Sequence, residues 1–131
     1  MYLLDTNTLI YFFKGQGNVS QYLVNTSPDL IYVSSITLFE LYTGIAKSTM
    51  PEKRTQQLKQ LLSKIKVLHF DDKSAVIAAN IRASLEKQGT PIGVLDILIA
   101  SIALVNNLTV VTHNVKEFSR VSSLNIIDWY I

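Results

Sequence analysis

The chain has 131 residues, of which 48% are hydrophobic and 17% charged; this is the size and balance of one globular domain and argues against a disordered chain. It contains no cysteine, which excludes a disulfide scaffold, a thiolate zinc site and a cysteine nucleophile. The 12 basic and 10 acidic residues give a net charge of +2, which is compatible with a nucleic-acid partner but does not require one.

The hydrophobic pattern predicts strands that alternate with helices. Short apolar runs predict the strands, and apolar residues at three- and four-residue spacing predict the helices. The predicted helix caps are Thr6, Ser34 or Ser35, and Asp71 or Asp72. In chain order, the prediction is a strand (2–4), a helix (7–13), a strand (30–33), two helices (36–48 and 52–65), a strand (67–70), two helices (73–87 and 94–105), a strand (108–112), a short helix (115–118) and a last strand (125–129).

This order predicts the fold class and the location of a site. Strands that alternate with helices form a mostly parallel sheet covered on both faces, so we expect an α/β protein with a three-layer, Rossmann-like α/β/α sandwich. No linker or repeat divides the sequence, and we expect a single domain over residues 1–131. In such folds ligands bind at the carboxyl ends of the strands.

Neither a targeting segment nor a membrane span is predicted. Residues 1–10 lack the basic region of a signal peptide, and Asp5 interrupts their apolar run. No apolar stretch reaches the ~18 residues of a membrane helix. We therefore expect a cytoplasmic protein that does not enter a membrane.

Four acidic residues are candidates for one site at the carboxyl edge of the sheet. Asp5 directly follows the first strand, and Glu40 lies one to two turns into the helix after the second strand. Asp96 lies near the start of the most apolar helix, where a carboxylate is costly to bury unless it is paired, hydrogen-bonded or bound to a cation. Glu117 follows the strand at 108–112.

Each acid also has a purely structural explanation. Asp5 is nearly as well suited to capping the first helix as to a site, and Glu40 and Glu117 have the character of surface helix residues. Asp96 is the hardest to explain in this way, because Asp is a poor helix former and its neighbours are apolar. The joint placement of the four acids therefore carries the argument.

Such a cluster predicts a divalent cation. Like charges held together are unfavourable unless a cation neutralises them. Only two histidines are present, His69 and His113, and both are better explained as structural residues. The metal ligands would therefore be oxygens, which suit Mg²⁺ or Mn²⁺ better than Zn²⁺. Mg²⁺ held by few carboxylates keeps several waters, one of which can attack a phosphodiester.

The four acids lie in segments that resemble the motifs of PIN-domain nucleases, and in particular of the VapC-like members. LLDTN at residues 3–7 is similar to the first motif and SSITLFEL at 34–41 to the second. GTPIG at 89–93, followed by Asp96, is similar to the third, and VTHNVKEF at 111–118 to the fourth. The match spans nearly the whole chain in the expected order, so the combination is specific although each motif alone is not.

The resemblance implies a role for each residue. Asp5 and Asp96 would be the main Mg²⁺ ligands, and Glu40 would complete the acidic pocket directly or through water. Many family members carry Asp where this chain has Asn114, so Glu117 becomes the better candidate for the fourth acid. Four polar residues would orient the carboxylates or water: Thr6, Asn7, Thr112 and Asn114.

The resemblance also implies partners. VapC-like proteins are toxins of two-gene modules that cleave RNA, often tRNA, form dimers and are silenced by a VapB antitoxin. We therefore expect an RNA substrate, a homodimer and a VapB-like antitoxin held by the helices of residues 36–65.

Three other classes of protein fit the sequence less well. A catalytically inert PIN-like binding module would be favoured by loss of the acids, but Asp5, Glu40 and Asp96 are present. A nucleotide-binding α/β domain is disfavoured because neither G-x-G-x-x-G nor G-x-x-x-x-G-K-[ST] follows the first strand. A phosphoacceptor domain also has acids at strand ends, but that analogy rests on fold alone.

Overall fold

The computed structural model describes residues 1–131 and contains five strands and seven α-helices. The strands are β1 (Tyr2–Leu4), β2 (Ile31–Ser34), β3 (Lys66–Leu68), β4 (Thr109–Val111) and β5 (Ile126–Ile127). The helices are α1 (Thr6–Lys14), α2 (Val19–Val24), α3 (Ser35–Ala46), α4 (Pro51–Leu62), α5 (Asp72–Lys87), α6 (Val94–Val105) and α7 (Val115–Phe118). A 3-10 turn at Pro28–Leu30 precedes β2.

The strands form one parallel sheet in the order β3-β2-β1-β4-β5. The chain builds outward from β1 to β3 and then returns to the other side of β1 with β4 and β5. The order therefore reverses between β1 and β4, which is where open parallel sheets bind ligands. Leu4 is in register with Val33 of β2 and Val111 of β4, so β1 and β4 end at the same level and β2 ends one residue later.

Both faces of the sheet are covered, because alternate strand residues point to opposite sides. Leu3 and Val110 belong to a core formed with α5, α6 and α7. Leu4 and Val111 belong to a second core formed with α1 to α4, which also encloses Trp129. The expected three-layer α/β/α sandwich is confirmed. The longest helix has 16 residues, and no helix combines the length and apolarity needed to cross a membrane.

Several predicted boundaries and one predicted cap were wrong. Asp5, not Thr6, caps α1: the Asp5 side chain accepts from the Thr8 N–H at 2.9 Å, and Thr6 is the first helical residue. The α3 helix ends at Ala46 and α4 ends at Leu62, earlier than predicted. Strand β1 has the predicted bounds, and β2 is shifted by one residue. Strands β3, β4 and β5 are shorter than predicted, because the apolar runs extend past the residues that have a paired neighbour.

Helix α2 and the 3-10 turn were missed by the sequence analysis. Only Val19 of α2 is buried, and its Asn18 cap makes no side-chain hydrogen bond. A short helix with one buried residue and no capping side chain has neither of the signals from which helices are predicted.

Candidate active site

Asp5 lies at the switch point, directly after β1. Its N–H donates to the Val111 carbonyl of β4 at 3.1 Å, and its side chain caps α1. The residue is only 3% exposed, and this burial raises the pKa of Asp5 above its ordinary value, against the opposing effect of hydrogen bonds from Thr112 and Thr8. Asp5 therefore caps α1 and also lies beside the other acids of the group.

A chain of hydroxyl groups holds Glu40. The Thr6 hydroxyl donates to Glu40 Oε1 at 2.6 Å, and it lies 3.2 Å from the Thr37 hydroxyl. Thr6 has a single hydroxyl proton, which it donates in the hydrogen bond to Glu40. The Thr6 oxygen can therefore only accept from the Thr37 hydroxyl. Ser34 lies 3.3 Å from Thr37 and caps α3 by accepting from the Thr37 N–H. Thr37 and Ser34 are both fully buried, and they fix the position from which Glu40 reaches the site.

Asp96 occupies the third position of α6, in the first turn of the helix. A negative charge there is stabilised by the free N–H groups and the dipole of the helix N-terminus. Gly93 precedes the helix, and a Cβ there would lie 3.8 Å from Asp96 Oδ2. Asp96 is half-buried, whereas most of α6 behind it is fully buried. The carboxylate therefore lies at the partly exposed N-terminal end of this apolar helix.

Asn114 lies between Glu117 and Asp96 and donates hydrogen bonds to both. Its side-chain N–H donates to Glu117 Oε2 at 3.0 Å, and its backbone N–H donates to the Thr112 hydroxyl at 2.9 Å. A further hydrogen bond from the Asn114 side chain lowers the pKa of Asp96, against larger opposing effects. Sequence reasoning treated Glu117 and Asn114 as alternatives, but both lie at the site and contact each other.

The four acids are close enough to repel one another. Burial is the largest cause that raises the pKa of Asp96 from its ordinary value of 3.8 to about 6. Repulsion from three carboxylates raises it further, in the order Asp5, Glu40 and Glu117. Four acids from distant parts of the chain therefore share one electrostatic environment at the carboxyl edge of the sheet.

The chemistry of these donors fits a divalent cation. All four are carboxylates, no histidine belongs to the group, and a cation would relieve both the burial cost and the repulsion. No three acidic or histidine side chains are spaced to hold one metal ion by themselves. Mg²⁺ is commonly bound through one or two carboxylates and keeps several waters, so two direct ligands among the four are sufficient.

Of the four polar residues predicted to orient the carboxylates, three lie beside the acids and one does not. Thr6 binds Glu40, Asn114 binds Glu117 and Thr112 binds Asp5. Asn7 is exposed and lies between the buried Thr6 and Thr8. Ser34 was predicted only as a possible cap of α3, which the structure confirms; Thr37 and Thr8 were missed. The available signal for these residues was that they are polar and follow predicted strands. The sequence does not show whether their side chains point toward the acids, because that depends on how α1 packs against α3.

Both histidines lie outside the acid group. His113 stacks on Tyr130 at a centroid distance of 4.2 Å, and its Nδ1 is 2.8 Å from Asp128 Oδ2. His69 is exposed in the segment between β3 and α5.

A cluster of carboxylates at the switch point of a parallel five-stranded sheet is the arrangement that the sequence resemblance to PIN-domain nucleases implies. The family model named "PIN domain" matches residues 2–124. The chain belongs to the PIN-domain family.

Within the PIN-domain family, the proteins to which this chain is similar are VapC ribonucleases. The chain is 38% identical to the tRNA(fMet)-specific endonuclease VapC of Salmonella typhimurium, over 98% of this chain and 97% of that protein. It is 39% identical to ribonuclease VapC2 of Haemophilus influenzae with the same coverage. The expectation of a PIN-domain ribonuclease of the VapC type is confirmed by this similarity.

Solved structures agree with the sequence comparison. The fold matches VapBC2 from Rickettsia felis bound to a promoter DNA fragment, with a TM-score of 0.91 and 35% identity over 98% of each chain. It matches DNA-bound VapBC from Salmonella typhimurium with a TM-score of 0.91 and 36% identity, over 98% of this chain and 97% of that one.

Proposed function

We propose that this chain is a divalent-metal-dependent endoribonuclease and the toxin of a VapBC-like toxin–antitoxin pair. One observation carries the proposal: four carboxylates from distant segments converge at the switch point, where each of the other three raises the pKa of Asp96. The substrate we propose is tRNA or another structured RNA, since a similar protein is named a tRNA(fMet)-specific endonuclease.

The cofactor we propose is Mg²⁺ or Mn²⁺. Asp5 and Asp96 would hold it, with Glu40 acting directly or through water and Glu117 through water. When bound, such a cation makes water more acidic and stabilises the charge that develops on a phosphodiester. The oxygen-only donor set supports this choice.

The protein's own part is to fix the carboxylates in position before RNA arrives. The Thr6 hydroxyl holds Glu40 Oε1, the Thr8 N–H holds Asp5, and the Asn114 amide holds Glu117 Oε2. Orienting groups of this kind are commonly worth about 10–100-fold in metal affinity or activity. We assign these residues positioning roles.

A VapB-like antitoxin is the proposed protein partner. The solved relatives are VapBC complexes, and this chain has an open hollow of about 510 Å³ between α1, α2 and α4. The apolar side chains that line it include Phe12, Phe13, Leu23, Val24 and Leu61. The sequence analysis placed this contact on residues 36–65; the hollow supports α4 and adds α1 and α2.

A homodimer is also proposed. Large apolar side chains remain exposed outside the hollow, and a second copy could cover some of them. They include Phe39, Tyr42, Met50, Val76 and Val94.

The alternative is an inert PIN-like binding module. All four acids are present and lie close enough to repel one another, an arrangement that an inert module would have no need to maintain.

Cleavage of a tRNA pool tests the proposal. Wild-type protein should cut the pool in Mg²⁺ or Mn²⁺ and not in EDTA. Asp96→Asn should slow cleavage by at least about a hundredfold, because a metal's charge stabilisation is worth several kcal/mol. Asp72→Asn is the control, since Asp72 lies on the first turn of α5, outside the acid group. Cleavage in EDTA, or by Asp96→Asn at the wild-type rate, would contradict the mechanism.

A further inference from the structure

A second cleft opens beside the candidate active site, between α1, α3 and α4. It has a volume of about 310 Å³ and shares Glu40 with the acid group. Its charged and polar lining comprises Lys14, Glu40, Ser48, Arg54 and Gln57. The cleft therefore borders the acid group at Glu40.

Helix geometry shows where the cleft leads. Thr6, Ile10 and Lys14 are four residues apart on α1 and so lie along one face. Thr6 touches Glu40 at one end of this row, and Lys14 lies at the other end, eight residues or about 12 Å further along the helix. On α3, Gly44 lies one turn beyond Glu40 and also lines the cleft. The cleft thus runs from the carboxylates toward Lys14.

The two cations of the cleft are unpaired. Lys14 and Arg54 are both exposed. The ion pairs of the chain are Arg82 with Glu86 and His113 with Asp128, so neither cation has a carboxylate within 4 Å. Glu40, the acid that shares the cleft, is held by Thr6 instead. Two free positive charges thus line a groove that leaves an otherwise acidic centre.

We propose that Lys14 and Arg54 bind a backbone phosphate of the RNA next to the phosphodiester that is cut. This inference rests on the proposed ribonuclease function. A polyanion that approaches four carboxylates is repelled, and cations further along the same groove offset that repulsion and fix the strand's direction. Lys14 and Arg54 are positioning residues, since they lie away from the reacting phosphodiester.

Gly44 has no side chain, so the RNA backbone can pass close to helix α3 at this point of the cleft. A Cβ built at Gly44 meets no atom within 4 Å, so the space above the helix is open. A carboxylate placed there would face the proposed phosphate, whereas an amide of the same shape would not repel it.

The test is binding of a fluorescein-labelled tRNA pool in EDTA, where RNA affinity is measured without turnover. Lys14→Gln and Arg54→Gln should each weaken binding roughly five- to tenfold. Each should also reduce the salt dependence of binding, by about 0.7 in the slope of log K against log salt for one phosphate contact on a single strand. Under cleavage conditions KM should rise while kcat and the Mg²⁺ requirement stay near wild type.

Two matched controls separate this site from general charge effects. Lys73→Gln removes a cation from a hollow at the far end of α6, beside Leu104 and Val105, and should leave RNA binding unchanged. Gly44→Glu should weaken RNA binding, whereas Gly44→Gln, its neutral isostere, should weaken it much less. Equal effects of the two Gly44 variants, or an equal loss with Lys73→Gln, would overturn the proposal.

The outcomes distinguish this inference from the proposed function. Mg²⁺-dependent cleavage by wild type with unchanged RNA binding in both cation variants would leave the ribonuclease intact and remove the phosphate site. If the same variants lost affinity for a VapB-like antitoxin but kept their RNA affinity, the cleft would belong to the protein partner and the proposal would be wrong. Absence of any metal-dependent cleavage would contradict the proposed function itself, and the binding measurements would still decide the role of the cleft.

Discussion

Asp5 combines two roles that sequence reasoning weighed against each other. Its side chain accepts the Thr8 N–H at the start of α1, and its charge contributes to the raised pKa of Asp96. A carboxylate has two oxygens and about four acceptor positions, so capping the helix uses only part of its capacity. The capping bond also fixes the carboxylate's orientation.

The fourth acid can be tested by comparing two substitutions. Glu117→Gln keeps an acceptor for the Asn114 amide but removes the charge, and we expect it to reduce the cleavage rate roughly 10–100-fold. Asn114→Ala should cost less, because Glu117 keeps its charge and loses one hydrogen bond. Cleavage rates across a Mg²⁺ titration provide the comparison. A Glu117→Gln enzyme with wild-type rate and metal dependence would remove Glu117 from the site.

The raised pKa of Asp96 predicts how stability depends on pH in EDTA. The folded carboxyl keeps its proton up to about pH 6, whereas the ordinary value is 3.8. The native state therefore binds more protons in this window, and the free energy of unfolding falls as pH rises from about 4 to about 6. The full shift corresponds to about 3 kcal/mol, and partial exposure of Asp96 reduces it to on the order of 1–2 kcal/mol.

Urea unfolding of wild type and Asp96→Asn over this pH range measures the effect. The difference between the two proteins isolates Asp96 from Asp71, whose pKa is lowered by its cap of α5 and acts in the opposite direction. Asp96→Asn should become the more stable protein above about pH 6. A difference that does not change with pH would contradict the assigned environment of Asp96.

At the level of elements, three were predicted with the bounds that the structure has: α6, α7 and β1. Most residues of α6 are apolar, which explains why its bounds were predictable. The ends of β3, β4 and β5 and the short α2 were predicted poorly, since they depend on pairing and packing between segments that a local pattern does not contain.

Glycines in α3 and in the α1–α2 connection should respond in opposite ways to alanine. Gly44 lies inside α3 in open space, so Gly44→Ala should stabilise the protein by about 0.5–1 kcal/mol. Gly17 has φ +64°, and a Cβ there would lie 2.6 Å from Tyr130 Cδ2, so Gly17→Ala should destabilise it by more than about 1 kcal/mol. Urea midpoints measure both, and a stabilising Gly17→Ala would contradict the packing of Tyr130.

At the level of the whole molecule, topology assembles the site. Reversal of strand order between β1 and β4 brings Asp5 next to Thr112, and α3 and α6 add Glu40 and Asp96. The rule that ligands bind at the carboxyl ends of parallel strands was enough to select these acids from the sequence. It was not enough to find the hydroxyl groups that hold Glu40, because the bonds from Thr6 to Thr37 and Glu40 form only when α1 packs against α3.

The central claim is that the converging carboxylates form one site for a divalent cation, and Mn²⁺ binding to the purified protein tests it most directly. Electron paramagnetic resonance measures free Mn²⁺ during a titration and needs no RNA. Wild type should bind Mn²⁺, and Asp5→Asn and Asp96→Asn should each weaken binding at least about tenfold, while Asp72→Asn should not. Equal Mn²⁺ binding by wild type and Asp96→Asn would contradict the claim.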